Sequence, residues 1–308
     1  MSDRPQATYP PLRETASDVS LRGRVCAVTG ASRGIGKATA SALCRRGATV
    51  VMLCRESVSG ARAVREVRER ASALGGDAAL VVCDLASRAS IHDAASEIRA
   101  RWPQLHVLVN NAGVSRVRRS VTVDGIETTF AVNYLAPVLI THLLLPLLHA
   151  GAPARIVNVS SELARWGRID FSNLQGERRY NGTRAYLQSK LALAVYTFEL
   201  AERLAASGVT VTCVHPGLVA TDLLREHWWW HLSWLRPIWR RIFLPADAGA
   251  EATVWAATAL GADGISGGCF GRGGRRVHLP RRWRDRELRT RLWARTMQLT
   301  TLADAPSR

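Results

Sequence analysis

Three observations predict an α/β fold with a doubly wound parallel sheet in a single domain. Short apolar runs alternate with helical stretches. A glycine-rich turn separates the first run from the first helix. The polar motifs fall where the apolar runs end, which is where ligands bind in open α/β sheets. A chain of 308 residues can bury one large core.

Residues 1–20 are polar and proline-bearing and read as a flexible tail, so the folded domain is expected over 21–308. Val25 to Thr29 reads as a buried parallel strand. Gly30, Gly34 and Gly36 form the turn, and the helix beyond carries Ala38, Ala42 and Leu43 before stopping near Gly47. Thr49 to Leu53 closes a βαβ unit of Rossmann type. Its glycines let the backbone bend and let a diphosphate approach, while the helix N-terminus offers unpaired N–H groups.

A charged helix is expected from Val58 to Leu74, with Val64 and Val67 inward, and then a strand from Ala79 to Cys83 leading to Asp84. A helix over Ser90–Arg101 precedes a fourth strand, Leu105 to Val109, which ends in NNAG. A long helix over about 125–149 leads to Arg155–Val159 and the pair Ser160–Ser161. The helix over 183–206 and the strand Val209–Val214, ending in HPGLVAT, complete the pattern.

The formal net charge is +17, and Lys37 and Lys190 are the only lysines among 42 basic residues. With no basic module interleaved with aromatics, this charge reads as solvated arginine rather than a nucleic-acid site. The cysteines at 26, 44, 54, 83, 213 and 269 show no metal-ligand spacing, so no metal is expected and the thiols are read as reduced. No secretory signal is seen and no apolar run is long enough to span a membrane, so a cytoplasmic setting is expected.

The second strand ends in Cys54-Arg55 with no carboxylate at its tip. An acid there would hold the ribose hydroxyls of NAD. Arg55, helped by Arg33, instead suits the 2′-phosphate of NADP(H). Tyr186 and Lys190 lie four apart on a helix and share a face. An ammonium there would pull the phenol pKa toward the range of a general acid–base.

TGASRGIG, Asp84, NNAG, the Asn133 of AVNYLAP, NVSS, YLQSK and HPGLVAT stand in one order along the chain. The series resembles the short-chain dehydrogenase/reductase family over roughly Arg24 to Leu302. DGIETTFAVNYLAPVLITHLLLPLL and RIVNVSSELARWGRIDFSNLQ are similar to retinol dehydrogenase-like members, although the turn reads TGAS where membrane-bound members tend to read TGAN. The resemblance implies an oxidoreductase that interconverts a lipophilic alcohol and its aldehyde or ketone. Tyr186 would be the general acid or base, and Lys190 would lower its pKa and hold the nicotinamide ribose. Asn133 would orient a relay water, and Ser161, with Ser160 as the fallback, would bond the substrate oxygen. Gly30, Ser32, Arg33, Gly34, Ile35, Gly36, Arg55, Asp84, Leu85, Asn110, Ala112, Gly113, Pro216, Gly217 and Thr221 would line the cofactor along with Tyr186 and Lys190. Self-association through the helices around 125–149 and 183–206 is also implied. A non-catalytic dinucleotide-binding scaffold is the alternative on the same fold, and the intact Asn133, Ser161, Tyr186 and Lys190 set argues against it.

The segment from His227 to Phe243 holds half of the ten tryptophans, at the position of the family's substrate lid, about 222–246. It reads as a lid packed on the core, as an apolar mouth for a lipophilic substrate, or as a peripheral membrane contact through Trp228–Phe243, and the last two are favoured jointly. Beyond it, a basic extension covers 272–308. Nine arginines between Arg272 and Arg291 read as a solvated face, and an amphipathic helix from Asp285 is expected to dock near the lid.

Overall fold

The computed structural model describes residues 19–71, 75–217, 244–259, 262, 264–277 and 280–302. The strands are β1 (Val25–Thr29), β2 (Thr49–Cys54), β3 (Asp77–Val82), β4 (Val107–Asn110), β5 (Ala154–Val159), β6 (Val209–Val214) and β7 (Gly268–Phe270). Among the described residues they form one seven-stranded sheet in the order β3-β2-β1-β4-β5-β6-β7. Every neighbouring pair is parallel. The central strands β1 and β4 are almost wholly buried, which explains their continuous apolar runs. Chain order reverses between them, and the crevice at that switch is where a ligand belongs.

One face is covered by α1 (Gly34–Cys44), α2 (Ser57–Glu69) and α7 (Ala246–Thr258). The other is covered by α3 (Arg88–Arg101), α5 (Ala136–Ala150) and α6 (Gly182–Arg203). The helix predicted to reach Leu74 ends earlier, where Arg70 leaves helical geometry at φ −93°, ψ 1°. The long helix predicted over 125–149 is built in three parts: α4 (Thr128–Phe130), a π turn (Ala131–Leu135) and α5. In the turn, Ala136 N–H reaches back five residues to Ala131 O. The whole stretch Thr128–Ala150 is long and apolar enough to cross a membrane, but 78% of its window is buried inside the protein. Its apolarity serves the core.

The amphipathic helix predicted from Asp285 is α8 (Arg286–Thr300), capped by the Asp285 carboxylate on Glu287 N–H. It docks on α5 and α6. Trp293 stacks on Tyr196 with ring centroids 5.8 Å apart, lies 5.7 Å from His142, and carries Arg203 3.9 Å above its ring. The basic stretch is therefore not wholly solvated: Arg289 is buried and pairs with Glu202 at 2.6 Å. Arg284 and Arg291 lie over Phe198 and Phe171. Part of the α5 and α6 surface is thus covered by α8 of the same chain. Trp293→Ala is expected to cost about 3–5 kcal/mol of stability in urea unfolding, because it deletes a buried ring at this joint. A cost near zero would mean that α8 is not fastened there.

Candidate active site

The turn after β1 rests on Gly30 and Gly34, whose φ values of +65° and +56° lie in the left-handed region. A Cβ at Gly36 would come within 2.3 Å of Gly30 O and 2.5 Å of Asn111 Nδ2, so the turn lies against the end of β4 with no room for a side chain. Asn111, which the sequence reading passed over, holds that approach. Its Nδ2 donates to Thr29 O at 2.9 Å, and its backbone N–H donates to Thr29 Oγ1 at 3.0 Å. Ala112 N–H adds a bond to the same hydroxyl at 3.1 Å. Arg33 is the extended N-cap of α1, and its own side chain makes no capping bond to the helix. The glycine cradle and this open helix start fit the diphosphate of a dinucleotide.

Asn110 turns its side-chain amide into the core: its Nδ2 donates to Thr141 Oγ1 at 3.1 Å and to Asn158 Oδ1 at 2.8 Å. Asn158 Nδ2 continues to Thr197 Oγ1 at 2.9 Å. This polar ladder ties α5, β4, β5 and α6 together beneath the site.

At the end of β5 the two serines divide their work. Ser160 is buried and donates to Lys190 O at 2.8 Å, anchoring α6. Ser161 lies near enough to the Tyr186 phenol to pull its pKa down, and it accepts Leu163 N–H at 3.2 Å. Lys190, one turn further along α6, is 4% exposed and donates from Nζ to Val159 O at 2.9 Å. Burial pushes the Tyr186 pKa up from its ordinary value, against the Ser161 hydrogen bond. Burial likewise pushes Lys190 down to about 8. The expected lowering of the phenol pKa by Lys190 is therefore not met in this arrangement, because desolvation dominates both groups.

Asn133 sits in the π turn with its amide fully engaged. Oδ1 accepts Val114 N–H at 2.7 Å, while Nδ2 donates to Val114 O at 2.9 Å and to Ser189 Oγ at 3.0 Å. Ser189, also missed from sequence, donates to Tyr186 O at 2.8 Å. A Cβ at Gly113 would lie 3.3 Å from Lys190 Nζ and 3.5 Å from Asn133 Oδ1. This glycine keeps the space between the two groups open.

Around this centre, Ile35 is buried and Ser32 is half-buried on the α1 side. Arg55 is exposed and pairs with Glu56 at 3.1 Å, an acid two residues past the end of β2. The Asp84 carboxylate accepts Ala86 N–H at 3.0 Å and shapes the turn that carries Leu85. Pro216 is buried and Gly217 has φ +80°. Burial first, and then nearby Lys190, push the His215 pKa down to about 4, so its imidazole is neutral. Thr221 and Trp228–Phe243 lie outside the described residues. A cavity of about 1130 Å³ is lined by Asp170, Asn173, Arg184 and Gln188 among others. Ala185 and Leu187, on either side of Tyr186, also line it, whereas Ser161, Tyr186 and Lys190 do not.

Comparison with known proteins agrees with the geometry. The short chain dehydrogenase family profile matches residues 24–231. The chain is 43% identical to mouse retinol dehydrogenase 11 over 259 residues, covering 82% of this chain and 79% of the relative. It is 41% identical to human retinol dehydrogenase 12 over 281 residues, covering 90% and 86%. Among solved structures, an uncharacterised protein from Mycobacterium Paratuberculosis superposes with TM-score 0.74 at 33% identity, covering 93% of this chain and 97% of that one. The Pseudomonas aeruginosa RhlG/NADP complex superposes with TM-score 0.67 at 28% identity, covering 83% and 97%. A sheet order of this kind, a glycine cradle at its switch point and a serine–tyrosine–lysine cluster on the adjoining strand and helix thus occur in a sequence that matches one family over most of its length, and the chain belongs to the short-chain dehydrogenases, among members similar to retinol dehydrogenases, and is an oxidoreductase.

Proposed function

We propose that this protein interconverts a lipophilic alcohol and its aldehyde or ketone using NADP(H). The observation that carries the reading is the grouping of Ser161, at the end of β5, with Tyr186 on α6, whose pKa feels the serine hydroxyl, and Lys190 buried one turn beyond. When bound, the dinucleotide supplies or accepts the hydride. The protein's part is proton transfer and positioning. In reduction, the hydroxyls of Ser161 and Tyr186 bond the substrate oxygen, and Tyr186 passes it a proton as charge develops. In oxidation the same phenol oxygen takes the proton back. The Lys190 ammonium stabilises the phenolate left behind and has further donors to hold the nicotinamide ribose. Because the Asn133 amide is spent on Val114 and Ser189, a relay water would take the Asn133 main-chain carbonyl within the widened turn.

NADP(H) is favoured by Arg55, whose exposed pairing with Glu56 is cheap to give up for a phosphate. A lipophilic substrate is supported by the names of the relatives and by the tryptophans of 228–243, which would also serve a peripheral membrane contact from the cytoplasmic side. NADPH oxidation against retinals, steroid ketones and long-chain aldehydes, with NADH in parallel, tests the reading. Binding of NADPH without turnover of any of these substrates would remove it. Arg55→Ala is expected to weaken NADPH binding about 10–100-fold, the worth of a charge-assisted hydrogen bond, and to leave NADH binding unchanged. Equal losses for both cofactors would exclude Arg55 as the phosphate's partner.

A further inference from the structure

Cys213 and His215 stand two residues apart at the end of β6, so their side chains project from the same sheet face. Cys269 on β7 is registered opposite Cys213 in the parallel pairing. The topology thus gathers three ligand-type side chains that are far apart in sequence. Cys213, His215 and Cys269 are 0%, 4% and 2% exposed. Cys269 Sγ lies 3.0 Å from His215 Nε2. The sulfurs and a ring nitrogen all lie within 4.8 Å of one another. His215 Nδ1 is buried with no partner, so the imidazole has bonding capacity that the protein does not use. Neither thiol has a role in the reaction proposed above.

We propose that Cys213, His215 and Cys269 form a binding site for a soft divalent cation of the zinc–cadmium class. Zinc–thiolate and zinc–imidazole bonds of about 2.3 and 2.0 Å separate tetrahedral ligand atoms by roughly 3.5–3.8 Å, so the 3.0 Å contact of Cys269 with His215 has to open by about half an ångström around the ion while the other pairs already lie within 4.8 Å. No carboxylate belongs to the cluster, which disfavours magnesium and calcium, and two sulfurs favour a thiophilic ion. On binding, both S–H bonds give up their protons to solvent and two metal–sulfur bonds and one metal–nitrogen bond form. Nothing is oxidised. The two thiolates cancel the charge of the ion, which allows so buried a position. The fourth coordination position is left for water.

The site lies behind Lys190. Val159, whose carbonyl holds Lys190 Nζ, is registered opposite Val214, the residue between Cys213 and His215. Occupation is therefore expected to lower turnover. That consequence rests on the proposed function, whereas the binding does not.

The test is titration of the reduced, metal-free full chain with cadmium chloride, following the ultraviolet thiolate-to-cadmium charge-transfer band. One equivalent is expected to saturate the band, and zinc is expected to compete it away. Cys213→Ala and Cys269→Ala should each lose the band while still binding NADPH, which shows that they are folded, and Cys44→Ala should keep it. Absence of the band from wild type at stoichiometric cadmium, or its persistence in both variants, overturns the site. Turnover is a separate reading. Inhibition by zinc that both variants escape supports the position behind Lys190, and full activity of the loaded protein overturns the link to catalysis. A protein that turns over nothing would still show or lack the band.

Discussion

Tyr186→Phe is expected to lower turnover by about 10²–10⁴-fold, the range spanned by a positioned general acid–base, while NADPH affinity is unchanged. The substitution removes one hydroxyl and keeps the ring in place on α6. Ser161 keeps Leu163 N–H at 3.2 Å, so the end of β5 holds its shape. Loss of kcat with KM and cofactor binding intact would locate the defect in the chemical step. A variant retaining more than about a tenth of wild-type turnover, a barrier change under about 1.4 kcal/mol, would place the proton donor elsewhere.

Lys190→Met is expected to do two opposite things: to remove activity and to stabilise the folded chain at neutral pH. The lysine is 4% exposed, and its pKa is driven from 10.5 to about 8 by desolvation. Keeping it charged at pH 7 costs on the order of 3 kcal/mol, and the bond to Val159 O returns about 1 kcal/mol. The sign follows from proton counting. Between about pH 8 and 10 the unfolded chain still holds the lysine proton and the folded chain does not, so in this window the lysine's penalty shrinks as pH rises. Buried thiols act in the opposite direction: Cys26 and Cys83, pushed up to about 12, destabilise the fold once the unfolded thiols ionise. Both proteins share that effect. The informative quantity is the difference between variant and wild type, which should be largest at pH 7 and close by roughly 1.4 kcal/mol per pH unit above pH 8. Urea unfolding at several pH values measures it. A variant less stable than wild type at pH 7 would show that the Val159 bond outweighs desolvation.

The elements that follow local rules were readable from sequence. β1 and β6 fall on their predicted residues because a doubly covered parallel strand needs a continuous apolar run, and a turn residue bounds each one. The glycine turn was equally clear, since φ +65° at Gly30 and the crowding at Gly36 leave no other residue a place. Features set by register between distant strands were hidden. The partners of the Asn110 amide, Thr141 and Asn158, are supplied by α5 and β5, which no local pattern around NNAG announces. Asn111 and Ser189 sit beside recognised motif residues and differ from them only in what they face. The Cys213–Cys269 pairing depends on β7 lying next to β6 in register, which no spacing rule reports. The π turn was invisible because AVNYL has ordinary helical composition. The seat of α8 on α5 and α6 was hidden for a related reason, since Leu288, Leu292 and Met297 announce an apolar face but not its partner.

That seat has a consequence for how the protein comes into being. Ribosomal synthesis runs from the N-terminus, so the sheet and α6 emerge before α8. Until α8 arrives, Tyr196 lacks the ring that stacks on it, and the Tyr134 hydroxyl beside Asn133 lacks Thr296, its partner at 2.5 Å. The nascent chain can therefore hold a dinucleotide cradle before the reactive helix is braced. Competence for chemistry comes last, with the final turns of α8 closing over a scaffold already in place.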